Sequence, residues 1–178
     1  MKVGSIVQVR SFSEYTVKVP PEENEGYVPA SKVPAGTYVS IKSAQGTIVG
    51  IVTSVQHDIK EEYLPFLSED KQDIFAPYVN DYRSSYLAIK GVGNVQNNKV
   101  SQSLAFAPVV NDVVQLMDDE EIRAFHFFNG KPSFTYYRKI SSELDADTLC
   151  RAIDHVSVSV PECRPMLKVL KKYTEGKS

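Results

Sequence analysis

Apolar and polar side chains alternate along several stretches of the N-terminal two-thirds of the chain, with the period of two that is typical of β-strands. A polar turn around residues 11–14 separates the first two stretches, and the turn sequence SAQG separates the next two, so each pair predicts a hairpin. The predicted strands occupy residues 3–9, 15–19, 38–42, 47–55, 86–95, 99–110 and 113–116. This pattern predicts a mainly β protein with helices, of the α+β class, in which about six of these seven stretches build one sheet.

The strand sequence TIVGIVTSV, residues 47–55, carries aliphatic side chains on both of its faces. A strand of this kind is covered by other protein on both sides. Gly50 lies in its middle, where a missing side chain predicts a bulge, a sharp bend or a close approach of two backbones. Because such bends let a small sheet curl, we expect residues 1–117 to form a small six-stranded β-barrel, either closed or partly open.

Two parts of the chain are predicted to lie outside the barrel wall. Residues 57–84 contain a capping serine and a terminating proline, Ser68 and Pro77, and predict a helical insertion between strands. Residues 118–178 predict a second, mixed unit, with a helix in DDEEIRAFHFF, a strand in SFTYYRKI and helices in the tail. Asp145 precedes the first tail helix, whose apolar face is Leu149, Ile153 and Val156.

The last helix combines an apolar stripe with basic residues. Met166, Val169, Leu170 and Tyr173 recur at helical spacing, and we expect this stripe to pack on the barrel. A basic row on the same helix suits an acidic partner, a membrane surface or DNA, and we assign any partner contact to this row rather than to the apolar stripe. The candidate partner-binding residues are Arg164, Lys168, Lys171 and Lys172.

Composition narrows the class of protein. The chain has 178 residues, 42% of them hydrophobic, which is typical of a globular protein with a sizeable core. Its formal net charge of -2 does not favour binding that depends mainly on nucleic-acid phosphates. The two cysteines, Cys150 and Cys163, form no CxxC pair, and no apolar run reaches the length of a signal peptide or a membrane span. We therefore expect a cytoplasmic protein that does not enter a membrane.

Side chains that could carry chemistry are scattered. His57, His126 and His155 lie in no H-E-x-x-H helix and beside no G-x-S-x-G turn. The acidic cluster that begins at Asp118 and ends at Glu121 has the spacing of a helix capping box, which we favour over a metal site. We expect no catalytic residue, no cofactor site and no metal site, and we interpret the protein as not an enzyme.

The order of the strand sequences carries a family resemblance. VGSIVQV, AGTYVSIK, GTIVGIVTSV, YLAIKGVGNV and FAPVVNDVVQLMDDEEI follow one another over residues 3–122. This arrangement resembles the HAS-barrel, the N-terminal β-barrel of HerA-type DNA translocases, which is related to the N-terminal barrel of rotary ATP synthase catalytic subunits. In the translocases a RecA-like motor with a G-x-x-x-x-G-K-[ST] phosphate loop follows the barrel. The chain ends in YTEGKS and lacks the first glycine of that loop, which departs from the family pattern.

The resemblance implies a non-catalytic assembly or adaptor module. Such a module uses exposed strand edges or the tail helices to form oligomers or to dock onto a larger machine that processes DNA, so we expect a protein partner or further copies of the chain. The alternative is a small nucleic-acid-binding barrel, in which tyrosine and phenylalanine rings stack on bases. Its phosphate contacts are predicted at Arg10, Lys42, Arg83 and Lys90. A third class, an enzyme of another type, has no positive support in the sequence.

Overall fold

The computed structural model describes residues 1–21, 26–58, 84–128 and 130–176. Most of the predicted helical insertion, residues 59–83, lies outside these described residues. Both of its predicted ends belong to strands instead, since His57 lies in a strand that runs to Asp58 and Ser84 begins the next one.

Nine strands and four α-helices occur in the described part of the chain. The strands are β1 (Lys2–Ser11), β2 (Glu14–Val19), β3 (Tyr38–Ser43), β4 (Gly46–Asp58), β5 (Ser84–Gln96), β6 (Lys99–Ser101), β7 (Val113–Leu116), β8 (Phe127–Phe128) and β9 (Lys131–Pro132). The helices are α1 (Asp119–His126), α2 (Tyr137–Ile140), α3 (Ala146–Ser159) and α4 (Arg164–Glu175).

Six of the strands close into an antiparallel barrel. Around the ring the order is β1, β2, β5, β4, β3 and β7, and β7 pairs with β1 to complete it. The pairing of β2 with β5 is continuous from Glu14 opposite Lys90 to Val19 opposite Ser85. β6 extends the sheet beyond the ring by pairing with β5. The predicted α+β class and six-stranded barrel are therefore confirmed, and the barrel is closed.

The predicted irregularity at Gly50 is confirmed. The register between β4 and β5 shifts between Val49 and Gly50, so that Gly50 lies opposite Gly91. A Cβ atom added to Gly50 would lie 2.5 Å from Cγ2 of Ile89, which is too close for carbon atoms. Glycine is thus needed where β4 approaches its neighbour and the wall bends.

Two predicted strands are wrong in part or in full. The strand predicted at residues 99–110 ends at Ser101, because Gln102 turns away and its Nε2 donates to the carbonyl oxygens of Phe125 and Ser133. The strand predicted at residues 133–140 contains the helical turn α2. In a helix, positions four apart share a face, and this spacing lets both Tyr136 and Ile140 enter the core.

The molecule has two hydrophobic cores that share the wall formed by β3 and β4. Ile48 and Val52 point into the barrel, whereas Val49 and Ile51 point outward into a second core against the helices. All four are at most 1% exposed, which confirms that this strand is covered on both sides. The second core also contains Leu149, Ile153 and Val156, as their helical spacing predicts. Residues from both sides of the boundary predicted between residues 117 and 118 therefore pack together, while the division itself stays a prediction.

A chain of buried hydrogen bonds crosses the second core. The Ile122 carbonyl oxygen lies 2.7 Å from His126 Nδ1 and can only accept, so Nδ1 carries the ring proton and Nε2 is an acceptor. The Tyr136 hydroxyl donates to Nε2 over 2.6 Å and accepts from the Tyr38 hydroxyl over 2.7 Å. Burial lowers the pKa of His126 to about 4, although its backbone hydrogen bond acts in the opposite direction. The imidazole is therefore neutral at pH 7.

Replacement of Gly50 by valine should destabilise the protein by about 1–3 kcal/mol, because the new side chain must displace Ile89 from a filled core. The measurement is the urea midpoint. Gly176→Val is the matched control, since a Cβ there would lie at ordinary contact distances, 3.4 Å from the Lys172 and 4.0 Å from the Tyr173 carbonyl oxygen, and its effect should stay within about 0.5 kcal/mol. Equal urea midpoints for the two variants would contradict the claim that a side chain at position 50 is too close to Ile89.

The low pKa of His126 should make folding sensitive to pH. In the unfolded chain the imidazole titrates near 6.5, but in the folded protein it titrates near 4. The contribution of His126 to the free energy of unfolding is complete above pH 6.5. It is lost as the pH falls towards 4, because only the unfolded state takes up the proton. Between pH 7.5 and 4.5, wild type should lose about 2–3 kcal/mol more stability than His126→Gln. Urea unfolding at both pH values measures this, and parallel losses would refute it.

Candidate protein-interaction surface

Helix α4 is fixed to the body of the protein along one face. A 3-10 turn, Pro161–Cys163, precedes it, and Pro165 lies in its first turn, where the ring costs no hydrogen bond. Cys163 and Leu167 are buried, Leu170 packs against the same core, and the Thr174 hydroxyl contacts the hydroxyl of Tyr137. These positions are spaced by four, three and four residues, so they form the inner face of the helix.

The apolar stripe predicted to pack on the barrel lies mostly in solvent. Met166, Val169 and Tyr173 are 40%, 68% and 58% exposed, so the predicted packing is wrong for these three residues and right only for Leu170. The reason is that α4 carries two sets of apolar residues at helical spacing. The set that contains Leu167 occupies the core, which leaves the other set on the adjoining outer face.

The four predicted basic residues divide into two pairs. Arg164 Nε donates to the Ser157 carbonyl oxygen over 2.9 Å, and Lys171 Nζ lies 2.6 Å from a carboxylate oxygen of Asp154. The hydrogen bond with Asp154 raises the pKa of Lys171. Because Ser157 and Asp154 both belong to α3, this pair ties α4 to its neighbouring helix.

The second pair of basic residues is exposed to solvent and could contact a partner. Lys168 and Lys172 are exposed, and neither has an ion-pair partner among the residues that the structure describes. One turn separates them, so their side chains form a row beside Val169 and Tyr173. We call Met166, Val169 and Tyr173 together with Lys168 and Lys172 the outer face of α4.

A second ion pair fixes the turn that leads into α4. Arg123, on α1, donates from both terminal nitrogens to the Glu162 carboxylate, over 2.8 and 2.6 Å. This hydrogen bonding lowers the pKa of Glu162 to about 2. The start of α4 is thus held by an interaction with α1 as well as by its buried inner face.

Lys90 forms the most enclosed ion cluster in the described structure. Its Nζ lies 3.2 Å from Oε1 of Glu14 and also contacts the Glu143 carboxylate, while the lysine side chain is only 10% exposed. Clefts of about 330 and 300 Å³ lie beside it, and Lys90 and Glu143 belong to both walls. Burial alone would lower the pKa of Lys90, but the two glutamates outweigh burial and raise it. The amine is held as an ammonium ion and joins the barrel to the C-terminal region.

The acidic cluster at the start of α1 and the two cysteines are further candidates for chemistry that the sequence offers. The capping box is confirmed, since Asp118 Oδ1 accepts from the Glu121 amide over 2.8 Å and Glu121 Oε2 accepts from the Asp118 amide over 3.2 Å. Burial raises the pKa of both thiols, Cys150 and Cys163, which keeps them protonated at pH 7. Across the described ranges, no three histidine, cysteine or acidic side chains gather where they could hold a metal ion.

The candidate nucleic-acid contacts are largely engaged elsewhere. Lys42 pairs with Glu121 at 3.8 Å, Lys90 pairs with two glutamates, and Arg10 Nε donates to Gln8 over 3.2 Å. The fourth predicted contact, Arg83, lies outside the described residues. Five aromatic rings that could have stacked on bases are buried in the two cores: Tyr15, Tyr38, Phe106, Phe125 and Tyr136.

The fold and this surface define a closed antiparallel β-barrel that carries a helical C-terminal region with an exposed apolar helix face. The chain belongs to the family described as a domain of unknown function, DUF8166, whose sequence model matches residues 1–177. The match spans the barrel and the helical region together. None of the curated proteins compared with the chain matches it. The helices in the described ranges are all too short or too polar to cross a membrane.

Lysine at position 90 should be needed for stability. Lys90→Ala would leave the Glu14 and Glu143 carboxylates facing each other without a cation, and we expect a loss of about 1–3 kcal/mol. Lys42→Ala removes a longer, half-exposed pair and should cost less than about 1 kcal/mol. Urea midpoints compare the two variants. A loss at Lys90 no larger than at Lys42 would show that the enclosed cluster does not join the two regions.

Proposed function

We propose that this protein is a non-catalytic assembly or adaptor module that binds another protein through the outer face of α4. The observation that carries the proposal is the exposure of Met166, Val169 and Tyr173 on a helix whose inner face is buried. A contiguous exposed apolar patch with polar residues around it is typical of a protein-protein interaction site. Because α4 is anchored by Leu167 and by its contacts with α3, the patch is presented without any rearrangement.

The biological setting is also a proposal. The closed six-stranded barrel and the order of its strand sequences support the resemblance to the HAS-barrel of HerA-type DNA translocases. In that setting the module assembles with itself or docks onto a DNA-processing machine. Two free cysteines, Cys150 and Cys163, support a reducing cytoplasm as its location.

Nucleic-acid binding remains the alternative, with less support. Two of its predicted phosphate contacts, Lys42 and Lys90, already pair with glutamates. A lysine that must first break an ion pair gains less from a phosphate than a free lysine does. An assay of binding to single-stranded DNA over a salt series tests this alternative, which requires an affinity that falls steeply with salt.

Site-specific photo-crosslinking in the native host tests the proposed surface. A photoreactive phenylalanine analogue replaces Val169 on the outer face of α4, and the same analogue replaces Val158 in a matched control. Val158 is the better control because it is also a helical valine and is 63% exposed, compared with 68% for Val169. We expect a discrete crosslinked species from position 169 and none from position 158.

The crosslinked species must be mapped by mass spectrometry to a segment of one protein, because a nonspecific mixture would not support docking. Both substitutions lie in solvent, so each variant should keep the melting temperature of the wild type. Absence of a discrete species at position 169, or equal crosslinking at both positions, would overturn the proposed surface.

A further inference from the structure

We infer that the outer face of α4 binds an acidic amphipathic helix of a partner protein. This inference rests on the proposed function, because it names the chemistry of the partner for the same surface. Two further observations support it: the spacing of the apolar side chains and the positive charge beside them.

The apolar part of the surface has the dimensions of a helix contact. Met166, Val169 and Tyr173 occupy positions i, i+3 and i+7 of α4. At a rise of about 1.5 Å per residue they span roughly 10 Å, or two helical turns. An amphipathic helix presents its apolar side chains at the same intervals, so it can lay a matching row along this stripe. An extended strand presents side chains with a period of two and does not match these positions.

The charge beside the stripe selects the sign of the partner. Lys168 and Lys172 stand one turn apart, about 6 Å between their Cβ atoms. Glu162 pairs with Arg123 and Asp154 pairs with Lys171, while Glu175 lies one turn beyond Lys172 without forming an ion pair with it. Neither Lys168 nor Lys172 forms an ion pair with a described residue, so the two ammonium groups leave a row that an added carboxylate can pair with. A partner helix with two carboxylates one turn apart, along the edge of its apolar face, complements this row.

A second copy of the chain fits this charge less well. The outer face of another α4 brings its own Lys168 and Lys172 rather than carboxylates. A lipid surface is also a poorer match, because membrane-binding helices need a long apolar face with many basic residues, whereas this stripe has three apolar residues. Both occupants are retained as outcomes of the test.

The test measures fluorescence anisotropy of two labelled synthetic helical peptides with the full chain. Both peptides carry leucines at positions i, i+3 and i+7, and they differ only in the flanking row, which is glutamate in one and lysine in the other. The protein variants are Lys168→Glu with Lys172→Glu, and the control double reversal Lys32→Glu with Lys131→Glu. All four lysines are exposed, so circular dichroism should show unchanged folding.

Wild type and the control should bind the glutamate peptide at least 10-fold more tightly than the lysine peptide. Reversal at Lys168 and Lys172 should weaken binding of the glutamate peptide by at least 10-fold and strengthen binding of the lysine peptide. Val169→Ser should weaken both. Equal binding of the two peptides to wild type, or equal effects of both double reversals, would overturn the acidic partner.

Two further measurements separate the other occupants. If sedimentation shows a dimer of the wild type that is lost in Val169→Ser, the occupant of the surface is a second copy of the chain and not a partner helix. If the wild type binds phosphatidylserine vesicles and Lys168→Glu with Lys172→Glu abolishes this binding, the occupant is a membrane surface. If position 169 crosslinks to a discrete protein but the peptide preference is absent, the proposed function stands and the acidic helix does not.

Discussion

The burial of strand β4 on both faces is the constraint on which the rest of the structure depends. Inside the barrel, Ile48 and Val52 complete one core, and on the outside Val49 and Ile51 begin the other. A wall that is apolar on its outer side cannot face water, so the C-terminal helices must cover it. The position of α4, and with it the exposed outer face, follows from this covering layer.

The parts of the fold that the sequence could predict are those with a local signal. Period-two alternation located most barrel strands, aliphatic residues on both faces of residues 47–55 indicated the shared wall, and Asp145 marked the start of α3. The strand predicted for residues 133–140 was wrong, because this aromatic, β-prone sequence forms a helical turn that buries Tyr136 and Ile140. Tertiary packing overrode the local preference there.

The candidate surface was harder to predict, and the reason lies in α4 itself. The helix carries two apolar sets, one with Leu167 and one with Val169, and a period of 3.6 residues alone does not say which faces inward. Its lysines look alike in sequence, but the geometry assigns Lys171 to Asp154 and leaves Lys168 and Lys172 available. The chain of buried hydrogen bonds from Tyr38 through Tyr136 to His126 joins residues far apart in the sequence, and no sequence motif predicts it.

The closure of the barrel has a consequence for how the chain folds. Ser5 on β1 pairs with Val113 on β7, and Glu14 on β2 pairs with Lys90 on β5, so the ring is sealed by contacts of high contact order. During translation, at about 5–20 residues per second, the first hairpin must wait on the order of ten seconds for its outer partners to be made. For that time both edges of the β1–β2 ribbon stay open to other chains. Nascent-chain aggregation, rather than instability of the finished barrel, is therefore the hazard that this topology sets.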